Sequence, residues 1–288
     1  MKADDKNKYI QKEGFFNSYK ETQIFFQTWI VPDPKLHVVI THGHGEHSEC
    51  YHRLIHFFRN ENINFTAWDL RGHGRSEGKR GYVESFNDYL YDFEVFISKL
   101  EKLNSENLPT VYLAHSMGAL IQNKYFISHP DFKPEAQALS APLFGFSLPV
   151  PAYKDTASKI LNLVFPKYTL WNEISNPMLT RDPAVIKEFE KDTLRHDLIS
   201  SGIYLGMIEA FEVINSHAAN IKIPTLIQIS ESDPVVSVEA AKNFFQKISS
   251  KEKRILFYGE GARHEMFNDI HRENVYKDLK KFLEGFMK

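Results

Sequence analysis

The sequence has one cysteine, Cys50, in 288 residues, which excludes an intramolecular disulfide and removes any need for an oxidising compartment during folding. It carries little net charge, −2 at neutral pH with acids and bases interspersed, so nothing in it selects for a nucleic-acid partner. No apolar run is long enough to span a bilayer, and residues 1–8 lack the apolar region of a signal peptide. Internal repeats and low-complexity stretches are missing as well. We expect a cytoplasmic protein, with peripheral contact at a membrane surface left open.

What is present is an alternation of strand-like and helix-like stretches. Residues 15–31 alternate polar and apolar side chains as a hairpin does, and Leu36–Thr41 is a short apolar run ending in a Gly/His loop. Helical spacing follows over 51–59, then a strand over 63–69, a glycine-punctuated loop over 69–78 and a helix over 86–103. Later, Ala136–Ser140, 224–230 and 254–258 read as strands, with helices over 238–248 and 274–287. Between about 141 and 220 the alternation breaks into prolines, a tryptophan and helical patches over 157–164 and 183–190. That stretch is too long for an ordinary connection. The expected architecture is an α/β core of residues 1–140 and 221–288 with a cap inserted over 141–220.

The core is organised around residues 109–126. A Pro-bounded run, Thr110-Val111-Tyr112-Leu113-Ala114, reads as a buried strand, stops at His115-Ser116-Met117-Gly118, and continues as a helix from Met117. A strand that turns sharply into a helix at x-x-Ser-x-Gly is a nucleophile elbow, although the pattern alone also fits a serine that only caps a helix. A serine hydroxyl needs a base, and the base needs an acid to fix its tautomer. In the chain order Ser, acid, His, the strand ending at Ser230 runs into Asp233, and the strand ending at Tyr258 runs into His264. All three residues fall at carboxyl ends of strands, where sites of such sheets form. Glu231 is the backup acid, and His271 a weaker backup base at the entry to the last helix. Oxyanion donors are expected from the backbone N–H of Met117, at the helix start, and of His44, in the loop His42-Gly43-His44-Gly45.

His42-Gly43-His44-Gly45-Glu46-His47-Ser48, Asp69-Leu70-Arg71-Gly72-His73-Gly74-Arg75-Ser76 and His115-Ser116-Met117-Gly118 together resemble the monoacylglycerol lipase and lysophospholipase group of α/β-hydrolases. Leu179-Thr180-Arg181-Asp182-Pro183 is similar to that family's cap, and the likeness runs from about Gly14 onward. The resemblance implies the α/β-hydrolase fold, a mostly parallel central sheet flanked by helices with an inserted helical cap. It also implies a triad falling on Ser116, Asp233 and His264, with oxyanion donors on His44 and Met117. The substrate class it implies is an ester of a monoacyl lipid, hydrolysed without metal or organic cofactor. Two departures stand out: Ala114 replaces the first glycine of the elbow, and His44 stands where the family often has a small residue.

Other readings make different demands. The run His42, His44, Glu46, His47 nearly matches the His-x-His-x-Asp-His zinc pattern of metallo-β-lactamases, with a metal-bound hydroxide in place of the serine. A non-catalytic binder on the same fold would leave the triad pattern without a use. A serine peptidase would need a cap carboxylate for the substrate amine, with Glu173, Glu188, Glu190 and Glu209 available. The Asp69 loop is expected to be shaped by its glycines and an Asp69/Arg71 pair, His115 to be a buried neighbour of the nucleophile, and Cys50 to be a packing residue. In the cap, Phe144, Phe146, Leu148, Val150, Tyr153, Ile160, Leu163, Val164 and Phe165 offer apolar surface for cap packing, an acyl chain or a membrane. Individual substrate-binding residues and the oligomeric state are not legible.

Overall fold

The computed structural model describes residues 9–103, 107–148, 151–259 and 261–288; Val150 lies outside them. The chain opens with an antiparallel hairpin of β1 (Ile10–Asn17) and β2 (Gln23–Ile30). It then runs through β3 (Leu36–Thr41), α1 (His52–Phe57), β4 (Ile63–Trp68), α2 (Asn87–Leu103), β5 (Thr110–His115), α3 (Met117–Ser128) and β6 (Ala136–Ser140). An inserted segment follows, made of α4 (Ala152–Val164), β7 (Thr169–Trp171), α5 (Asn176–Leu179), α6 (Pro183–Lys191), β8 (Leu198–Ser200) and α7 (Ser201–His217). The core resumes with β9 (Thr225–Ser230), α8 (Val238–Lys247), β10 (Lys253–Tyr258) and α9 (Arg272–Leu283).

The eight strands outside the insertion form one sheet in the order β1-β2-β4-β3-β5-β6-β9-β10, parallel from β4 through β10. Every residue of β3 and β6 is buried, as expected of strands covered by helices on both faces. Helix α3 is buried on all sides because it packs against α2 and α7 as well as β5, so its sequence carries no amphipathic stripe. Lys124 on that helix is satisfied by Asn87 Oδ1 at 3.0 Å and Glu209 Oε1 at 3.2 Å.

Register sets the site. Thr41 pairs with Ala114, His115 with Ser140, and Ser230 with Tyr258, so β3, β5, β6, β9 and β10 end along one edge of the sheet. The loops after β3, β5, β9 and β10 therefore meet there. The inserted segment is tied to the same edge: the small sheet β7-β8 is antiparallel, Ser200 N donates to Gly81 O at 2.7 Å, and His196 N donates to Gly45 O at 3.1 Å. Residues at the start of the insertion belong to the core, where Ala141, Leu143 and Phe144 are buried, Phe144 against Phe244. Among the described residues, no helix is long and apolar enough to cross a membrane.

Candidate active site

Ser116 sits at the turn between β5 and α3 with φ 50° and ψ −119°, a left-handed conformation that costs a side-chain-bearing residue about 1–3 kcal/mol. The surroundings hold it there. Ser116 N donates to Ser140 O at 3.1 Å, while Ser116 O accepts from Ala119 N at 3.0 Å and Leu143 N at 3.1 Å. The sharp turn also needs α3 to start close against β3. A Cβ on Gly118 would lie 2.4 Å from both the Thr41 and His42 carbonyl oxygens, so glycine is required at that position. Ala114, fully buried, is accommodated, and the elbow forms without a glycine there.

His264 and Asp233 meet Ser116. His264 Nε2 lies 3.0 Å from Ser116 Oγ, and His264 Nδ1 lies 2.9 Å from Asp233 Oδ2. Asp233 Oδ1 accepts from Val235 N at 2.8 Å and Val236 N at 3.0 Å, which fixes the carboxylate from behind. Burial alone pushes the Asp233 carboxyl up, but His264 and the two backbone donors outweigh it and hold Asp233 below the usual carboxylate range. Burial likewise disfavours the His264 cation, and the charge and hydrogen bond of Asp233 reverse that, leaving the imidazole above its ordinary value. The Nδ1–H then donates to Asp233, and the Nε2 lone pair faces the serine hydroxyl. His115, whose ring centroid is 4.8 Å from that of His264, donates from Nδ1 to Ser140 O at 3.0 Å. Burial, reinforced by His264, depresses it to about 3, so it is a neutral neighbour as expected. Glu231 is exposed against the Gly259 backbone, and His271 is exposed where α9 begins.

The loop after β3 lies against the serine. A Cβ on Gly43 would come within 3.0 Å of both Ser116 Cβ and Glu46 Oε1. Glu46, which the sequence offers only as part of the family-like run and of the zinc pattern, accepts from Gly43 N at 2.6 Å and from the Tyr51 hydroxyl at 3.0 Å, pinning the loop. Its spacing of three residues after Gly43 was the available signal. The bulky His44 ring is housed by the insertion: Nε2 donates to Leu198 O at 2.9 Å, and the ring packs on those of His73 and His196. Met117 opens α3 immediately after Ser116.

The expected Asp69/Arg71 pair does not form. Arg71 instead makes a two-pronged pair with the fully buried carboxylate of Asp92 in α2, at 2.8 Å and 2.7 Å. Asp69 is occupied by the backbone N–H groups of Ser48 and Arg75, both at 2.7 Å, and so joins the two glycine-rich loops.

The zinc pattern does not assemble either. His42 Nε2 accepts from Leu70 N at 2.9 Å and His47 Nε2 meets Asp192 Oδ2 at 2.8 Å, so the imidazoles of His42, His44 and His47 face separate partners. Among the described residues, the side chains grouped closely enough for a metal are His47, Cys50 and Asp192. Cys50 there is a buried thiol pushed up by burial, with the Arg195 guanidinium 3.4 Å from its sulfur, which opposes a cation. Of the proposed amine-binding carboxylates, Glu173 pairs with Lys154, Glu188 with Arg53 and Glu209 with Lys124, and Glu190 is exposed.

A hydrogen-bonded Ser-His-Asp line at the carboxyl edge of a mostly parallel eight-stranded sheet defines an α/β-hydrolase. The chain belongs to the Hydrolase_4 family, described as serine aminopeptidase S33, whose profile matches residues 32–271. It is 28% identical to phospholipase YtpA of Bacillus subtilis over 90% of this chain and 99% of that one. It is 26% identical to the monoacylglycerol lipase of Mycolicibacterium smegmatis over 95% of this chain and 97% of that one. The crystal structure of monoacylglycerol lipase from Paleococcus ferrophilus superposes with a TM-score of 0.79 at 26% identity, covering 96% of this chain and 99% of that one. The chain also spans 27% of the length of a longer relative in Dictyostelium discoideum, an uncharacterized abhydrolase domain-containing protein.

Proposed function

We propose that the protein is a serine carboxylester hydrolase acting on monoacyl lipids, a monoacylglycerol lipase or lysophospholipase. The single observation that carries this reading is the line Asp233–His264–Ser116, with contacts of 2.9 Å and 3.0 Å. His264 takes the Ser116 proton as the hydroxyl attacks the ester carbonyl, and Asp233 stabilises the imidazolium. The backbone N–H groups of His44 and Met117 receive the oxyanion, and His264 returns the proton to the leaving alcohol. Water then repeats the cycle on the acyl-enzyme, so water is the only co-reactant.

Residues 141–220 act as the cap in this reading. Its first half exposes several apolar side chains, including Leu148, Tyr153, Ile160, Leu163, Phe165 and Trp171, each at least half accessible. Monomers rarely leave so much apolar surface bare without a use, and a lipid interface suits it. The protein thus works from the cytoplasm as a peripheral visitor to the membrane that holds its substrate. Each acyl methylene buried on entry contributes about 0.8 kcal/mol. The relatives named as a monoacylglycerol lipase and a phospholipase support the substrate class and leave both head groups in play.

The test is a kinetic comparison of monoacylglycerols, lysophospholipids, short water-soluble esters and aminoacyl amides. We expect the highest kcat/KM on a long-chain monoacyl ester. Selectivity for the amides would replace this reading with a peptidase.

A further inference from the structure

Arg195 belongs to the inserted segment, between α6 and β8, yet its guanidinium is buried beneath the site. It donates to Glu265 Oε1 at 2.5 Å and to Cys50 Sγ at 3.4 Å, with the Phe189 ring stacked 3.8 Å above it. Glu265 is the residue that follows His264. Its second oxygen accepts from Asn268 Nδ2 at 3.0 Å. The same two residues are held through their backbones: His264 N donates to Met178 O at 3.3 Å and Glu265 N to Leu179 O at 2.8 Å. The insertion therefore grips the His264 loop twice, once by main chain from α5 and once by the Arg195 side chain.

We infer that Arg195 is a positioning residue for His264, reaching from the inserted segment to clamp the Glu265 carboxylate and so keep the loop that carries the base aligned with Ser116. The inference rests on the triad reading above. His264 is hydrogen-bonded to Asp233 and Ser116, packs on the His115 ring, and feels the charges of the Glu265 and Glu46 carboxylates. Tyr51 and Cys50 complete the surroundings of those carboxylates. Two buried acids close together cannot both stay ionised without a cation, and Arg195 is the guanidinium that faces them. Removing it leaves Glu265 buried without its charged partner, so that the carboxyl takes up a proton, and loosens one of the two grips on the loop that carries the imidazole.

The experiment compares Arg195→Met, Arg195→Lys and the double variant Arg195→Met/Glu265→Gln. For each we measure the pH profile of kcat/KM and, in the Ser116→Ala background, the NMR titration of the His264 ring. Arg195→Met is expected to lower kcat about tenfold and to move the His264 titration and the acid limb downward by about half a unit or more, as Glu265 loses its charge and the ring loosens against Asp233. Arg195→Lys is expected to bring both back toward wild type, whereas the double variant, which lacks both ends of the clamp, is expected to keep the low kcat. An Arg195→Met protein with a lower Tm but an unmoved His264 titration and kcat overturns the inference. If Arg195→Met does not fold, the double variant, which leaves no buried charge unpaired, carries the test, and a wild-type kcat and His264 titration in it overturn the inference equally. The NMR titration does not depend on turnover, so a failure of the esterase reading is seen separately, as ester hydrolysis that survives Ser116→Ala.

Discussion

Gly118 stands against Thr41 so closely that a methyl group on it would lie 2.4 Å from the Thr41 carbonyl oxygen. This approach lets α3 begin directly beneath Ser116 and holds the serine at its positive φ. Gly118→Ala must push α3 away from β3, an overpacking that costs about 1–3 kcal/mol. We predict a lower Tm and, because the serine moves with the helix, a fall of about 100-fold or more in kcat/KM for ester hydrolysis. Thermal melts and steady-state kinetics on the purified variant check both numbers.

The pair Asp233 and His264 predicts the pH dependence. The base must be neutral to accept the serine proton, and its partner holds it above the ordinary histidine value of 6.5. Activity is therefore expected to fall as pH drops, with the midpoint of the acid limb of kcat/KM above 6.5. Asp233→Asn removes the charge and the tautomer control, and should lower kcat by about 1,000-fold or more. A midpoint well below the ordinary value in the wild type would contradict the geometry.

The bare apolar side chains of the insertion predict an interfacial effect. Leu163 is 85% exposed and Phe165 63% exposed, so charging them perturbs little inside the fold. Leu163→Glu and Phe165→Glu together should weaken binding to phosphatidylcholine vesicles about tenfold. Hydrolysis of a short, water-soluble ester should stay within about twofold of wild type. Sedimentation with vesicles and parallel assays on the two substrate types separate these effects.

The reach of the sequence follows the range of the interactions involved. Ser116, Asp233 and His264 were legible because each sits where a strand pattern ends, and strand ends on one sheet edge must meet. Helix α7 was not foreseen as a helix: it packs on α3 and α4 at once, and two glycines interrupt its pattern, one of them set by the Phe86 side chain against Gly206. The strands β7 and β8 are three residues each and pair across the insertion, too short for any periodicity. Arg71 was assigned its neighbour Asp69 on proximity in sequence, whereas its partner Asp92 arrives from the next helix. Arg195 and Glu265 lie on segments that only folding joins, so no local pattern links them.

The central claim is that Ser116 is the nucleophile, and turnover by the Ser116→Ala protein measures it most directly. With long-chain monoacylglycerol as substrate and labelling by a fluorophosphonate read in parallel, we predict that the variant loses hydrolysis and takes no label. Its thermal transition should stay near that of wild type, since the change removes only a hydroxyl bonded to His264 at 3.0 Å. Ester hydrolysis near the wild-type rate in that variant would contradict the account.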